Sequence, residues 1–482
     1  MKRGITVRKL LICALALGGF AASAQAADLS VDSLKDPLPE KLSFAGVTVY
    51  GTVDVGYGWQ SAGLPESSAF PAGLNYLQSS SAYTRPVSGL TNNAMSQSTI
   101  GVKVEEAIGL GFTAIAKADT GFNPLSGELS DGCKSLQLLA QSGAPHAAAY
   151  GDSSRCGQAF NGVAYAGLSN SSYGTLTVGR QQSLMLDGVA NYDPQKGSYA
   201  FSPIGYSGTG AGGIGSTETA RWDNSAKYVY QFGPAHAAAM YSSGGSGTAL
   251  QNDAYGANVG AAYKGFALDA FYTKENGAVN AASATGGVLN ALVTNNEAWS
   301  VMGKYTYDFG GSFKDDEPGA KLTFFAGYVH TDMGNPGSSE SSYGNAANNG
   351  TTIGNYGFST GLYAAAPFVT DKILQTEWAG ASYATGPWTL TGAYYHMSQD
   401  AFKTTGTWGG SSGSAACVST NVNCAGNLNW GSFTVDYAFN KHFDVYSGIS
   451  YSQLDGGLAS ASGTAYPHLD NTSVVSGLRL KF

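Results

Sequence analysis

Two arginines, Arg180 and Arg221, flank a long glycine-rich stretch, 183–219, near the middle of the chain. The stretch carries one basic residue, Lys196, and three candidate acids: Asp187, Asp193 and Glu218. Connections of this length without regular structure are uncommon and usually functional. Charged side chains that face one another across water act on passing ions, and such charges govern selectivity in channels. The residues therefore indicate electrostatic handling of solutes.

The sequence offers no comparable set for bond-making chemistry. The six histidines are dispersed, and no Ser/His/Asp set or pair of carboxylates can be placed with specificity. An enzyme would need a nucleophile next to a base, and an adhesin would depend on long surface loops. Neither of these classes is favoured, and no cofactor is predicted.

The cysteines form two local pairs, each inside one polar loop. The four that follow the N-terminal segment are Cys133, Cys156, Cys417 and Cys424. Four cysteines allow three connectivities, and their locality favours Cys133–Cys156 and Cys417–Cys424. A zinc site is disfavoured because no Cys or His stands at the close spacing that such sites use. Disulfides point to an oxidising compartment.

The N-terminal segment is predicted to be a signal peptide, 1–26. It has a basic start, a short apolar core at 10–20 and an Ala-Gln-Ala cleavage site at 24–26. The core is too short for a spanning helix, which needs roughly 20 residues. Residues 27–43, with two prolines, are expected to form a tether before the folded part, 44–482.

Composition limits the partners of the exported chain. Charged residues are 12% of the chain, about half the usual share for soluble domains. Without the four basic residues of the signal peptide, 21 basic residues stand against 33 acidic ones, a balance of −12. Such a surface makes nucleic acid an unfavourable partner.

Hydrophobic side chains alternate with polar ones along many segments. In 47–59 one face carries Val47, Val49, Val53, Val55, Tyr57 and Trp59, while Thr48, Thr52 and Asp54 share the other. This period of two is typical of strands with unlike faces. Tight turns alternate with long Gly/Ser/Asn-rich connections: 61–93, 123–158, 183–219, 277–295, 333–372 and 399–428. The pattern predicts about 16 strands, within two either way.

A transmembrane antiparallel β-barrel explains this arrangement. Lipid requires every backbone polar group to be paired, so spanning strands must close into a barrel. Such barrels have an apolar outer face, a polar interior, short periplasmic turns and long extracellular loops. About 16 strands leave an aqueous channel. Outer-membrane lipid would contact an interfacial girdle formed by Tyr57, Trp59, Trp299, Trp388 and Trp430.

The chain from about Phe44 resembles the Gram-negative general porins, closest to the neisserial and β-proteobacterial type. The resemblance lies in stretches that follow the order of that family's first strand, second hairpin and strands around its constriction loop: 47–54, 98–106, 109–114, 174–181 and 221–228. It implies a water-filled outer-membrane channel for passive diffusion of small hydrophilic solutes and ions, and three chains per assembly. It also implies that Phe482 is the outer-membrane assembly signal.

The resemblance further implies roles for the charged residues. The third extracellular loop would fold into the barrel, so its acids would face basic wall residues, Arg180 and Arg221. Thr99 stands where the family pattern has a third wall arginine, and Lys103 and Lys117 share the inward parity and would compensate in part. We expect mild cation preference, and we expect Arg180→Ser and Arg221→Ser to increase it without loss of folding.

Arg180 conflicts with strict alternation. Counting from Leu176 and Val178 places it on the lipid face, where a charge at the midplane costs about 2–4 kcal/mol. A bulge or strand end is therefore expected to turn it inward, although snorkelling to the interface is an alternative.

A substrate-selective channel for sugars, phosphate or carboxylates is the alternative function. Aromatic residues on the loop could form a sugar-stacking path, or could pack the loop onto the wall: Tyr192, Tyr199, Phe201 and Tyr206.

Overall fold

The computed structural model describes the chain in thirteen stretches: 42–62, 85–141, 155–205, 220–244, 253–283, 289–310, 319–335, 351–353, 356–358, 364–365, 369–403, 425–456 and 470–482. The predicted signal peptide, most of the predicted tether, and Glu218, Cys417, Cys424 and Tyr206 lie outside these stretches. Where the tether was expected to end, Leu42–Phe44 forms a short strand that folds back on the next one through Phe44 and Val47.

In the described part of the chain, sixteen antiparallel strands form a closed barrel, which confirms the predicted fold class. They are β1 (Val47–Gln60), β2 (Thr99–Gly109), β3 (Phe112–Gly121), β4 (Ala164–Asn170), β5 (Gly174–Gln182), β6 (Arg221–Phe232), β7 (Ala235–Ser242), β8 (Ala254–Tyr263), β9 (Phe266–Ser283), β10 (Leu289–Asp308), β11 (Lys321–Gly334), β12 (Lys372–Thr385), β13 (Trp388–Gln399), β14 (Gly426–Ala438), β15 (Phe443–Gly456) and β16 (Asp470–Lys481). Each strand pairs with its neighbours in sequence, and β16 pairs with β1.

Short elements accompany the barrel. Val87–Asn92 precedes β2 and pairs with the C-terminal half of β1, from Val55 to Gln60. Further short strands lie in the described residues between β11 and β12: Thr351–Ile353, Tyr356–Phe358 and Ala364–Ala365. Two helices lie in the described part of the long connections: α1 (Gly132–Gln141) after β3 and α2 (Leu184–Tyr192) after β5. A 3-10 turn, Pro203–Gly205, follows α2. Among the described residues, no helix is long and apolar enough to cross a membrane.

Alternation sets the two faces of each strand. In β1 the side chains of Val47 and Val49 are exposed on the outer surface, whereas Asp54 and Gln60 are fully buried inside. Because neighbouring residues of a strand point to opposite faces, one register sends one alternating set of side chains outward and the other set inward. Trp430 departs from the girdle prediction. It is 1% exposed because it lies on the inward face of β14, together with Ser432 and Thr434.

Short turns lie at one end of the barrel, the turn end, and long connections lie at the other, the loop end. Two-residue turns join β8 to β9 and β12 to β13, as the Gly and Pro positions predicted. The stretch 277–295, predicted as a loop, is instead mostly strand. The β9–β10 pairing continues from Ala278 and Thr294 to Ser283 and Leu289 beyond a bulge, so the hairpin extends further than the composition indicated.

The seam between β16 and β1 is completed by Phe482. Its N–H donates to the Gly51 carbonyl at 3.1 Å, and its carbonyl accepts from the Gly51 N–H at 2.9 Å. A Cβ added at Gly51 would lie 2.5 Å from the Phe482 ring and 2.7 Å from the Thr99 carbonyl oxygen. The ring therefore covers a position that only glycine can occupy.

Gly51→Ala is expected to destabilise the barrel by about 1–3 kcal/mol, because an extra methyl group in a packed site forces its neighbours to shift. The urea midpoint of folding in detergent micelles measures the effect. Gly89→Ala is the matched control, since a Cβ there would have nothing within 4 Å. Equal midpoints for the two variants would contradict the proposed packing of Phe482.

Candidate functional site

The loop that enters the barrel begins where β5 breaks its alternation. The pairing of β5 with β6 shifts register between Gly179 and Gln181, and Gly179 adopts φ +132. The expected bulge is therefore present, and it moves Arg180 off the outer face. Arg180 is 8% exposed, so it does not snorkel to an interface.

Arg180 is held by three acceptors. Its Nε donates to the Gly162 carbonyl at 3.0 Å and its Nη2 to the Asn161 carbonyl at 2.9 Å. Its Nη1 donates to the Asp223 carboxylate at 2.6 Å. The guanidinium thus joins the segment before β4 to β6, and its charge is paired with a carboxylate of the wall.

The helix α2 opens the loop and packs against the far wall. The Ser183 side chain caps it by accepting from the Leu186 N–H at 3.2 Å. Leu184, Met185 and Val189 are buried, and a Cβ at Gly188 would lie under 3 Å from the Phe271 ring of β9. Apolar burial of this kind is the main stabilising force for a short helix, and here it directs the loop across the lumen.

The end of α2 is anchored by hydrogen bonds to three strands. The Trp378 indole N–H of β12 donates to the Tyr192 carbonyl at 3.0 Å, and the Tyr192 hydroxyl donates to Asp269 of β9. The Asp193 carboxylate accepts from the N–H groups of Gln195 at 3.1 Å and Gly197 at 2.6 Å, and from the hydroxyl of Tyr395 on β13.

Asp193 was predicted as an acid facing the basic wall, but its side chain is fully buried. Burial raises the pKa of its carboxyl, while the hydrogen bonds from Tyr395 and the loop oppose that rise. The geometry supports an anchoring role for Asp193 in place of contact with solutes.

Beyond Asp193 the loop continues along β14 and β15. Gln195 donates to the Ser432 hydroxyl at 3.1 Å and accepts from the Thr434 hydroxyl at 3.1 Å. The Phe201 ring, fully buried, meets Tyr446 edge-on and covers Gly448 of β15. The aromatic residues Tyr192 and Phe201 therefore pack the loop onto the wall, which is one of the two predicted alternatives.

The described end of the loop docks on an inward excursion between Val87–Asn92 and β2. The Ala94 carbonyl accepts from the Ala200 N–H at 2.9 Å and from the Ser198 hydroxyl at 2.8 Å. The excursion begins at Asn93, which adopts φ +59, a conformation that asparagine tolerates better than most residues. The loop thus spans from β5 to the neighbourhood of β1.

Asp54 of β1 holds this excursion in place. Its carboxylate accepts from the N–H groups of Met95 at 3.0 Å and Ser96 at 2.7 Å, and from the Tyr446 hydroxyl at 2.6 Å. Sequence analysis placed Asp54 on the inner face without a role. A buried carboxylate is tolerated only when its oxygens are hydrogen-bonded, so its polar partners had to come from segments that the alternation pattern does not specify.

Most charged side chains of the interior are paired. Asp187 of the loop, one of the candidate acids, binds Lys227 of β6 at 2.7 Å. Burial raises the pKa of Asp187, and the charge of Lys227 opposes this. Lys103 and Lys117 are cross-strand neighbours, and they pair with Glu105 at 3.2 Å and Asp119 at 3.5 Å.

The last strand contributes a second set of charges. Arg479 binds both Asp436 and Asp444, and Lys481 binds Asp444 at 2.6 Å. The pKa of Lys196 is lowered mainly because its ammonium group is partly removed from water, and to a smaller extent by the positive charges of Arg479 and Lys481. Lys196 is exposed on the loop.

Lys196 and Lys304 have no carboxylate within 4 Å among the described residues. Lys304 of β10 donates to the Asn191 carbonyl at 3.2 Å and lies 5.4 Å from the centre of the Tyr192 ring. Inward parity on β6, β10 and β16 would have identified Lys227, Lys304 and Arg479, but their distances from the loop could not be read from parity.

Arg221 begins β6 opposite Gln182 and is partly buried. Glu218 lies outside the described residues, so its predicted pairing with the wall stays a prediction. Within the described ranges, no group of three or more His, Cys, Asp or Glu side chains is placed to hold a metal ion.

The loop that enters the barrel, described over residues 183–205, is called the constriction loop below. The connection between β3 and β4 approaches it from the loop end. The predicted disulfide between Cys133 and Cys156 is present, and both cysteines are fully buried. Arg155, 2% exposed, donates to the Tyr199 hydroxyl at 3.2 Å, and that hydroxyl donates to the Gln97 side chain at 3.1 Å. Sequence analysis did not identify Arg155, because a lone arginine beside a cysteine carries no pattern.

Comparison with known proteins points to one family. A family model described as Gram-negative porin matches residues 13–457. An outer membrane porin protein of Bordetella pertussis is 26% identical over 233 residues, which cover 47% of this chain and 47% of that relative. The alignment thus spans about half the length of this curated relative.

Solved structures resemble this chain in fold. An anion-selective porin from Comamonas acidovorans superposes with a TM-score of 0.54 at 15% identity, covering 90% of this chain and 99% of that one. OmpT, an outer membrane protein of Vibrio cholerae, gives a TM-score of 0.51 at 14% identity over 92% of this chain and all of its own. At these identities the likeness concerns the fold alone.

Arg180→Ser is expected to lower the free energy of unfolding by about 2–3 kcal/mol, because it leaves Asp223 without its buried partner and two carbonyls without a donor. This outcome differs from the sequence-based expectation that folding would be unaffected. Urea midpoints measure it, with Lys264→Ser at the turn between β8 and β9 as control. A midpoint equal to that of the wild type would show that Arg180 does not stabilise the wall.

Proposed function

This chain belongs to the Gram-negative porin family and is an outer-membrane porin, and from that premise we propose that its barrel conducts small hydrophilic solutes and ions by passive diffusion. The observation that carries the proposal is the inward loop. It crosses the lumen from β5 and is anchored at Trp378, Tyr395 and Ala94. A constriction built this way filters by width first and by charge second.

The charged interior supports an aqueous path. Lys103, Lys117 and Lys481 keep 36–41% of their side-chain surface exposed, although all three are paired. Ionised side chains are retained at such positions when water or a partner solvates them. The outer face, by contrast, displays large apolar side chains such as Val259, Leu268 and Phe433, which fits contact with lipid.

We propose that the constriction carries a mild preference for anions. The two loop acids in the described part of the chain do not offer free negative charge, because Asp187 is paired with Lys227 and Asp193 is buried. Lys196 and Lys304 stand near the same opening without a carboxylate partner in the described part of the chain. The cation preference expected from net charge and from Thr99 is the competing prediction.

A substrate-selective channel remains the second candidate function, but the described aromatic residues do not form a free path for sugars. Tyr192 and Phe201 are 4% and 0% exposed, and the Tyr199 hydroxyl is engaged by Gln97. The loop aromatics thus support the packing alternative.

Family membership also supports a homotrimer in the outer membrane, which we propose for this chain. The predicted export signal, 1–26, the tether, 27–43, and the assembly role of Phe482 are part of the same proposal. The backbone hydrogen bonds between Phe482 and Gly51 support the last of these, since they place the residue at the closing seam.

In planar lipid bilayers, the purified protein is expected to give stepwise conductance increments with a linear dependence on salt concentration. Closure in threes would support the trimer. Absence of conductance steps from correctly folded protein would contradict the channel, while saturation by a single solute would favour the substrate-selective alternative.

Lys196→Met is expected to lower the anion-to-cation permeability ratio by roughly two- to five-fold, because one unit charge near a constriction is worth about 1 kcal/mol in water before screening. Reversal potentials under a salt gradient measure the ratio, with Lys264→Met as the matched control. Cation preference in the wild type would contradict the proposal and support the sequence-based expectation.

The same measurement has a pH dependence with a defined sign. Because the pKa of Lys196 is lowered, the side chain loses its charge on raising the pH earlier than an ordinary lysine, whose pKa is about 10.4. Raising the pH from about 7 to about 10 should therefore reduce anion preference more in the wild type than in Lys196→Met. Parallel pH profiles would exclude Lys196 as the titrating group.

A further inference from the structure

The segment between β3 and β4 is closed on itself at the loop end. Asp131 caps α1 by accepting from the Lys134 N–H at 3.0 Å, and the Gly132 N–H donates to the Arg155 carbonyl at 2.9 Å. The disulfide between Cys133 and Cys156 joins the start of α1 to the residue after Arg155. Residues 130–141 and 155–161 are called the clamp segment below.

The clamp segment reaches the opposite wall. Its helix α1 packs against β9 and β10, which are the longest strands of the barrel at 18 and 20 residues. At its base, the Asn161 side chain donates to the carbonyls of Gly121 at 2.8 Å and Ser130 at 3.0 Å. The segment is thus fixed at both sides of the barrel mouth.

Between these fixed points the clamp segment touches the constriction loop. Tyr199 lies where three parts of the chain meet, because its hydroxyl accepts from Arg155 at 3.2 Å and donates to Gln97 at 3.1 Å. Gln97 in turn donates to the Ser130 hydroxyl of the clamp segment at 2.9 Å. This set of hydrogen bonds connects the disulfide-closed segment, the constriction loop and the inward excursion.

We propose that Arg155 and Tyr199 are positioning residues, and that the disulfide holds Arg155 where it fixes the constriction loop from the loop end. Tyr192, Asp193 and Phe201 hold the side of the constriction loop that faces the barrel wall. The clamp segment restrains Tyr199 from a second direction, so the width of the opening depends on a disulfide that does not line it. This proposal rests on the proposed channel function.

The disulfide constrains the chain locally. A cross-link between residues 133 and 156 limits how far the chain beside it can move in any state that keeps the barrel folded. Arg155 adjoins that cross-link and is 2% exposed, so its guanidinium has little freedom to leave Tyr199. Without the cross-link, α1 can keep its contact with β9 and β10, but the segment 155–161 loses its covalent tie to the start of α1 and is held there by backbone hydrogen bonds.

Single-channel recordings of five variants test the proposal: Tyr199→Phe, the double variant Cys133→Ser/Cys156→Ser, the triple combination of these three changes, Arg155→Ala and Arg155→Lys. Tyr199→Phe and the double variant are each expected to raise the conductance by about 1.5-fold, since the narrowest section limits current, and to increase open-state noise. The triple variant should show no more than the double, because residues that act through one contact are not additive. Arg155→Lys should restore part of the restraint that Arg155→Ala removes.

Tyr173→Phe is the matched control, because it removes an exposed hydroxyl at the turn end. Wild-type conductance in both Tyr199→Phe and the cysteine double variant, or full additivity in the triple, would overturn the proposal. If the cysteine variant fails to assemble, judged by heat-dependent gel migration, unchanged conductance in Tyr199→Phe and Arg155→Ala would overturn it. A wild-type protein without channels would instead overturn the proposed function.

Discussion

The constriction depends on the hydrogen bonds that the Asp54 carboxylate accepts. The carboxylate lies on β1, next to the seam that closes the barrel, and it binds Tyr446 of β15 together with the excursion before β2. That excursion presents the Ala94 carbonyl, which receives the described end of the loop. A fully buried carboxylate would be costly without these donors, so the wall, the excursion and the loop stabilise one another.

Alternation and turn chemistry predicted the architecture because they are local properties. A period of two determines which side chains face lipid, and glycine-containing tight turns determine where strands reverse. The break at Arg180 could also be predicted, since a charge on the lipid face is unfavourable. The stretch 277–295 was predicted as a loop because of its composition. A segment rich in Asn and Ala can nevertheless continue a hairpin when the partner strand supplies the hydrogen bonds.

The roles of individual charges could not be predicted in this way. Parity places Lys227 on the inner side, the bulge turns Arg180 inward and Asp193 lies on the loop, but these positions do not say which of the three side chains meets water. Arg180 and Asp193 are buried and bind protein groups, whereas Lys227 pairs with Asp187 across the lumen edge. These distinctions depend on contacts between residues far apart in sequence, such as Asp193 with Tyr395. Such contacts cannot be predicted by counting charges along the sequence.

The path of the loop has a consequence for the order of assembly. Its contacts extend from Phe271 on β9 to Tyr446 and Gly448 on β15. Phe271 follows its loop partner Gly188 by 83 residues, and Gly448 follows its loop partner Phe201 by 247 residues. The loop cannot reach its final position before the C-terminal strands are in place. Narrowing of the channel is therefore a late event in the formation of the protein. A barrel in which β15 is not yet in place does not yet have its constriction.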